Sequence, residues 1–158
     1  KNKEKKYDYL KKRDDIAGQI FTLSDMSKCY YHLKNYDKAM EYINQATQMA
    51  KDRGLSNHWF YFDTYIYSSL ISKERGSIIN KKEALDIINK YMEVADDKNI
   101  GSLGLYNLYI LLEDENYIQT AYNMITEKAV LLSDNLKDDF LNRYFQKIII
   151  EEHNKVFK

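Results

Sequence analysis

Between residues 23 and 46, apolar and small side chains recur at helical intervals: Leu23, Met26, Ser27 and Tyr30, then Ala39, Ile43 and Ala46. The polar stretch Asn35-Tyr36-Asp37-Lys38 divides the two sets. Spacings of three and four place each set on one face of a helix, and the small alanines let two helix backbones approach closely. The pattern predicts two antiparallel helices locked face to face.

The same periodicity accounts for nearly all the chain. A first helix is expected from 7 or 14 to 33, and a second from 35 to about 53, where Gly54 can adopt the left-handed stop conformation. A third, over 55–75, carries Trp59, Phe62, Ile66, Leu70 and Ile71 and is closed by Gly76. The fourth starts at Asn80, whose side chain can cap it while Glu83 reaches back, and runs through Ala84, Ile88 and Tyr91 to Ala95. A short fifth is expected over 102–112, and a sixth from Asn116 with Tyr117, Ala121, Met124, Ile125 and Ala129. A last helix over 134–156 has Leu136, Phe140, Leu141, Tyr144, Phe145, Ile148 and Ile149 in one apolar stripe. Such a stripe suits a helix that covers the open end of a helical stack, or one that docks a second subunit.

The segments also read as unequal repeats. Asn35-Tyr36 is echoed by Asn116-Tyr117, and Ala39 by Ala84 and Ala121. The first interval, from Asn35 to Asn80, is about 45 residues, and the second is nearer the roughly 34 of a standard helical-hairpin repeat. On the residues of its first unit the chain resembles the tetratricopeptide repeat (TPR) family. In the second unit Trp59, Phe62, Asp63 and Ile66 occupy the large, apolar, small and aromatic positions, so Asp63 and Ile66 depart from the family pattern. In the third, Leu105, Leu108 and Leu112 fit and Tyr109 replaces the small residue. The resemblance implies one all-α domain over 1–158: a TPR-like superhelix of about three hairpins (17–53, 55–97, 102–131) plus a capping helix (134–156).

Composition narrows the function. The chain has 158 residues, 44% apolar and 30% charged, with no proline and 5 glycines, which suits a globular helical protein. Lys plus Arg and Asp plus Glu both number 24, so no net field favours nucleic acid or an anionic membrane surface. No apolar run approaches the roughly 18 residues of a membrane span. Cys29 is the single cysteine, which excludes an intrachain disulfide and a multi-cysteine zinc site and fits a reducing cytoplasm. The chain opens at Lys1 without methionine and with a basic run to Arg13, as expected of a piece of a longer protein.

No catalytic residue, cofactor or metal site is expected. His32, His58 and His153 lie far apart, without partners at metal-binding helical spacing. Cys29 reads as a small packed residue. The doublets Asp14-Asp15, Asp96-Asp97 and Asp138-Asp139 read as solvated helix ends, and no phosphate loop or nucleophile elbow appears.

In stacked hairpins the first helix of each pair lines the concave wall. There the chain offers Phe21, Ser24, Asp25, Lys28, Tyr31 and His32, then Asn57, Phe60, Tyr61, Thr64, Tyr67 and Ser68, then Leu103, Tyr106, Asn107 and Ile110. Tyrosine gives stiff amphipathic contact, and asparagine can pair with both a peptide N–H and a C=O, so this wall suits an extended peptide or protein ligand. The expected peptide-binding residues are Lys28, Tyr31, Asn57, Tyr61, Thr64, Tyr106 and Asn107. TPR chaperone adaptors hold a terminal carboxylate with lysine, arginine and asparagine, whereas the corresponding positions here are Ser24, Lys28, Leu103 and Asn107. The proline-free long helices and the lysine, asparagine, isoleucine and tyrosine bias resemble the receptor domains of Rap-type quorum-sensing regulators of Gram-positive bacteria. That resemblance implies a signalling peptide held partly by Asn57 and Asn107, in the sensor part of a bacterial regulator. The alternative is an oligomerising segment of a larger signalling protein such as a histidine kinase, acting as a homodimer through its last helix.

Overall fold

The computed structural model describes residues 2–12, 14–55, 59–93 and 100–158. Among the described residues there are nine helices and no strand: α1 (Asn2–Lys12), α2 (Ile16–His32), α3 (Tyr36–Asp52), α4 (Trp59–Glu74), α5 (Lys81–Met92), α6 (Ser102–Leu112), α7 (Glu115–Val130), α8 (Asp134–Leu141) and α9 (Tyr144–Val156). They pack largely as sequential pairs. None of them is long and apolar enough to cross a membrane. Contacts divide the chain into two compact units, Lys1–Ala95 and Asp96–Lys158. The boundary falls near the end of the second repeat-like segment of the sequence.

In the first unit α1 packs on α2, α2 on α3, and α4 on both α2 and α3, with α5 on α4. The buried face of α3 is Ala39, Ile43, Ala46 and Ala50, and Ala46 and Ala50 pack with Ile20 and Leu23 of α2. Burying Leu23 and Ile43 contributes about 1.5–3 kcal/mol each. Cross-links fix the directions of the helices. The Tyr36 hydroxyl donates to Glu74 at 3.1 Å and Arg75 pairs with Asp37 at 3.4 Å, so α3 begins where α4 ends and the two are antiparallel. On the other side of α4, Phe62 stacks on Tyr91 of α5 at 4.0 Å between ring centroids.

The helix ends follow from identifiable turns. Gly54 and Gly76 have φ of +68° and +84°. The bonds Leu55 N→Ala50 O (2.9 Å) and Ser77 N→Ser72 O (2.9 Å) complete the Schellman arrangement at each. The Asn80 side chain accepts from Glu83 N at 3.2 Å, as the sequence predicts. Three stops carry no glycine: Asp14 (φ 54°), Lys34 (φ 58°) and Glu113 (φ 59°) take the left-handed conformation themselves. Asp14 therefore ends α1, and Asp15 caps α2 by accepting from Gly18 N at 2.9 Å. Of the two starts expected for the first helix, 7 or 14, the structure follows the later: α2 runs from Ile16 to His32, and residues 7–12 belong to the separate α1.

In the second unit α6 pairs with α7, and α9 packs on both, with α8 against α7 and α9. Here α9 stands to α6 and α7 as α4 does to α2 and α3. The capping helix expected over 134–156 is broken. Asn142 turns back on Asp138 O through both its backbone N–H (3.0 Å) and its side-chain amide (2.9 Å), and Arg143 leaves the helix with ψ 146°. Of the apolar stripe, Phe140 and Ile149 are buried, while Leu136 and Tyr144 face solvent. The acidic doublet Asp138-Asp139 is exposed in the last turn of α8, a solvated helix end produced by the break, and Asp96-Asp97 lies outside the described residues.

Candidate functional site

The neighbouring faces of α2 and α4 carry the densest polar and aromatic constellation of the first unit. Lys28 of α2 ion-pairs with Asp63 of α4, and its ammonium lies 5.1 Å from the ring centroid of Tyr67. Ser24 donates to the same Asp63 carboxylate at 3.2 Å. Tyr31, one turn beyond Lys28, meets Tyr67 edge-on at 5.9 Å. Since 24 and 28 reach 63 while 31 reaches 67, α2 and α4 run parallel at this face. Beside it, Lys3 of α1 pairs with Asp25 at 3.1 Å, and Lys6 lies over the Phe21 ring at 5.7 Å.

Lys28 and Lys3 are thus neutralised from within the chain. The Lys28 and Asp63 side chains are 24% and 28% exposed, so both are largely withdrawn from water yet still reachable. Such a partly desolvated pair is held more firmly than a surface one. Nearby, burial and then the Asp63 carboxylate raise the Tyr91 hydroxyl above its ordinary range.

The structure distributes the residues selected from sequence unevenly. It brings Lys28 and Tyr31 together through Tyr67. Tyr61 packs instead against the Ile20, Leu23, Ala46 and Ala50 core cluster. Thr64 is fully buried, and its hydroxyl donates to Tyr61 O at 2.7 Å. The hydroxyl is thereby satisfied within α4 and is not presented to a ligand. Asn57 lies outside the described residues. Tyr106 and Asn107 belong to the second unit, where Asn107 is buried at 6% exposure.

Around Tyr106 the second unit builds its own aromatic cluster. Tyr106 and Tyr109 are 6.3 Å apart between ring centroids, and the Tyr109 hydroxyl donates to Glu152 at 3.4 Å. Burial, followed by the Glu152 carboxylate, raises both hydroxyls above the ordinary tyrosine range. His153 stacks on Tyr122 at 3.8 Å, and its Nε2 is 3.1 Å from Gln119 Oε1. Gln119 gives its own amide N–H to Asn123 at 2.9 Å, which leaves its oxygen to accept from His153. The His153 Nδ1 is buried without a hydrogen-bond partner.

Asp63 is the functional candidate that sequence reasoning passed over. It is the single charged residue between 59 and 72, standing where the TPR pattern calls for a small side chain. A lone carboxylate in an otherwise apolar and hydroxyl-bearing helix is the signal, because burying it requires a partner. Among the described residues no group of three His, Cys, Asp or Glu is placed to hold a metal ion. Comparison of the chain with protein-family models, with curated proteins and with solved structures finds no match.

Proposed function

We propose that this chain is a polypeptide-binding module of the TPR kind, with the α2–α4 face of the first unit as a ligand-bearing surface. The observation that carries the reading is the convergence of Lys28, Asp63 and Tyr31 from two parallel helices onto one face, over the buried Tyr67. Aromatic rings and hydroxyls suit a peptide backbone and its side chains, and they lose little conformational entropy on binding. The α2–α3 hairpin, closed through Ser27 and Ala39 with α4 returning parallel to α2, supports the TPR comparison. A place as sensor part of a bacterial signalling or transcriptional regulator rests on the resemblance to Rap-type receptors alone.

A random-peptide display selection on the immobilised chain tests this. Enriched peptides should bind the soluble chain, and Tyr31→Ala should weaken them at least about tenfold, as loss of a central aromatic anchor does. Gln45→Ala, at an exposed position of α3, should leave binding unchanged. Selection that enriches nothing, or peptides indifferent to Tyr31, would overturn the reading.

A second reading, an oligomerising segment, draws on Val130, Leu131, Leu136 and Tyr144, apolar side chains that face solvent in the second unit. Sedimentation at rising concentration separates the two. A monomer throughout removes the oligomer reading, and a dimer dispersed by Leu131→Asp with Leu136→Asp supports it.

A further inference from the structure

We propose that α4 and the turn into α5 form a binding site for a neutral polyhydroxyl molecule of hexose size. The site uses none of the residues of the Lys28–Asp63 face and does not depend on the peptide-binding reading.

Tyr65, Ser68, Ser69 and Ser72 follow the three-and-four spacing of a single helical stripe, so α4 carries four hydroxyls in a row. The bond Ser77 N→Ser72 O folds the chain back at Gly76. Ser77, Ile78, Ile79 and Asn80 of the turn, with Glu83 of α5, then join the stripe in lining a cleft of about 290 Å³.

What sets this cleft apart is that its polar groups are not used up inside the chain. The helical threonines Thr22, Thr47, Thr64, Thr120 and Thr126 turn their hydroxyls back on a carbonyl three or four residues earlier. Ser68 and Ser72 do not. Among the described residues their hydroxyls, and that of Ser77, meet no hydrogen-bond partner, and all three side chains are at least partly exposed. The Asn80 carbonyl oxygen accepts from Glu83 N at 3.2 Å, which leaves both N–H groups of its amide as donors. Tyr65 shares a hydrogen bond with Ser69 within reach of the Glu83 carboxylate. At the rim Ile78 is 100% exposed, an apolar side chain standing wholly in water.

Hydroxyls that both donate and accept, an amide that donates and a carboxylate that accepts are the complement of vicinal hydroxyl groups. Ile78 offers apolar surface to the C–H face of a ring. The Glu83 carboxylate disfavours an anion. A metal ion lacks ligands, since among the described residues no group of three His, Cys, Asp or Glu is placed to hold one. The volume lies at the small end of ligand sites, which span roughly 300–1,000 Å³, so it suits one sugar ring rather than a large cofactor.

The test titrates the isotopically labelled whole chain with D-glucose, D-galactose, D-mannose and myo-inositol, each to about 50 mM, well above a Kd of roughly 1 mM. At least one should give saturable shifts of backbone amide resonances centred on residues 65–83. Ser68→Ala with Ser72→Ala, which suits a helix, should weaken binding about tenfold, the worth of two ordinary hydrogen bonds. Glu83→Gln should weaken it as well, and Gln45→Ala on α3 should leave it unchanged. The methyl pyranoside of the bound sugar separates two sources of the ligand: retained binding admits the end of a glycan, and lost binding assigns the free sugar. The inference is overturned if none of the four compounds gives saturable shifts, or if a folded double serine variant binds as the parent does. It is equally overturned if potassium phosphate or ammonium chloride moves these resonances and no sugar does.

Discussion

The Ser27 hydroxyl donates across the α2–α3 hairpin to the main-chain carbonyl of Ala39 at 2.7 Å, with both residues fully buried. A small residue on each helix brings the backbones close enough for this bond, and the bond gives the buried hydroxyl its partner. Ser27→Ala should cost about 1 kcal/mol, the net worth of one hydrogen bond. Ala39→Leu should cost about 1–3 kcal/mol, because the added side chain must force the helices apart. Urea unfolding followed by circular dichroism measures both. A neutral Ala39→Leu would contradict the close packing.

Lys34 and Gly54 end successive helices in the same left-handed conformation, one with a side chain and one without. The β-carbon makes this conformation costly for lysine, so Lys34→Gly should stabilise by about 1 kcal/mol. Gly54→Ala should do the opposite by a similar amount. A β-carbon at Gly54 would meet nothing within 4 Å, so that loss would report backbone strain alone. Thermal denaturation should show shifts of opposite sign.

Gly18 lies in the first turn of α2, where Gly→Ala is ordinarily worth about 0.5–1 kcal/mol of stability. A β-carbon here would fall 2.7 Å from Asp15 Oδ2, the carboxylate that caps the helix. Gly18→Ala should therefore gain little in the parent and regain its usual benefit in an Asp15→Ala background, which itself costs about 1 kcal/mol. A double-mutant cycle reads the coupling. Strict additivity would show that the cap and the glycine act independently.

Alkaline pH should weaken the second unit. Tyr106 and Tyr109 have hydroxyls raised above 10.0, mainly by burial and next by Glu152. Above that pH the folded chain holds more protons than the unfolded one, so stability falls as pH rises. The contribution is complete below the unfolded pKa of about 10 and is lost as pH climbs through the raised folded values. Urea midpoints at pH 8 and pH 10.5 should differ less for Tyr106→Phe than for the parent. An equal fall in both would remove Tyr106 from the account.

Local pattern revealed the paired helices because their determinants lie within a few turns of one another. Ala39, Ile43 and Ala46 mark the buried face of α3, and Gly54 and Gly76 mark two stops, on periodicity and backbone sterics alone. The break at Asn142-Arg143 was invisible because neither residue forbids a helix and the apolar spacing runs through it. The break at Lys34 was legible from the polar stretch that begins at Asn35, whereas the choice between a start at 7 and one at 14 stayed open, because the left-handed conformation at Asp14 falls on a residue with a side chain, where only the surrounding contacts repay its cost. In the candidate site, Lys28 and Tyr31 were legible as neighbours on one helix face. Thr64 was read as facing a ligand, whereas its side chain is buried within the packing of α4.

By itself, the sequence determined an all-α chain with its principal hairpin and several helix ends, since these depend on side-chain period and φ preferences within short windows. Tertiary structure alone decided that Asp63 meets Lys28 and Ser24, the latter 39 positions away. No local period encodes which charges from separate helices come together. That depends on how α4 seats against α2, and the seating leaves the first unit with an internally neutralised face.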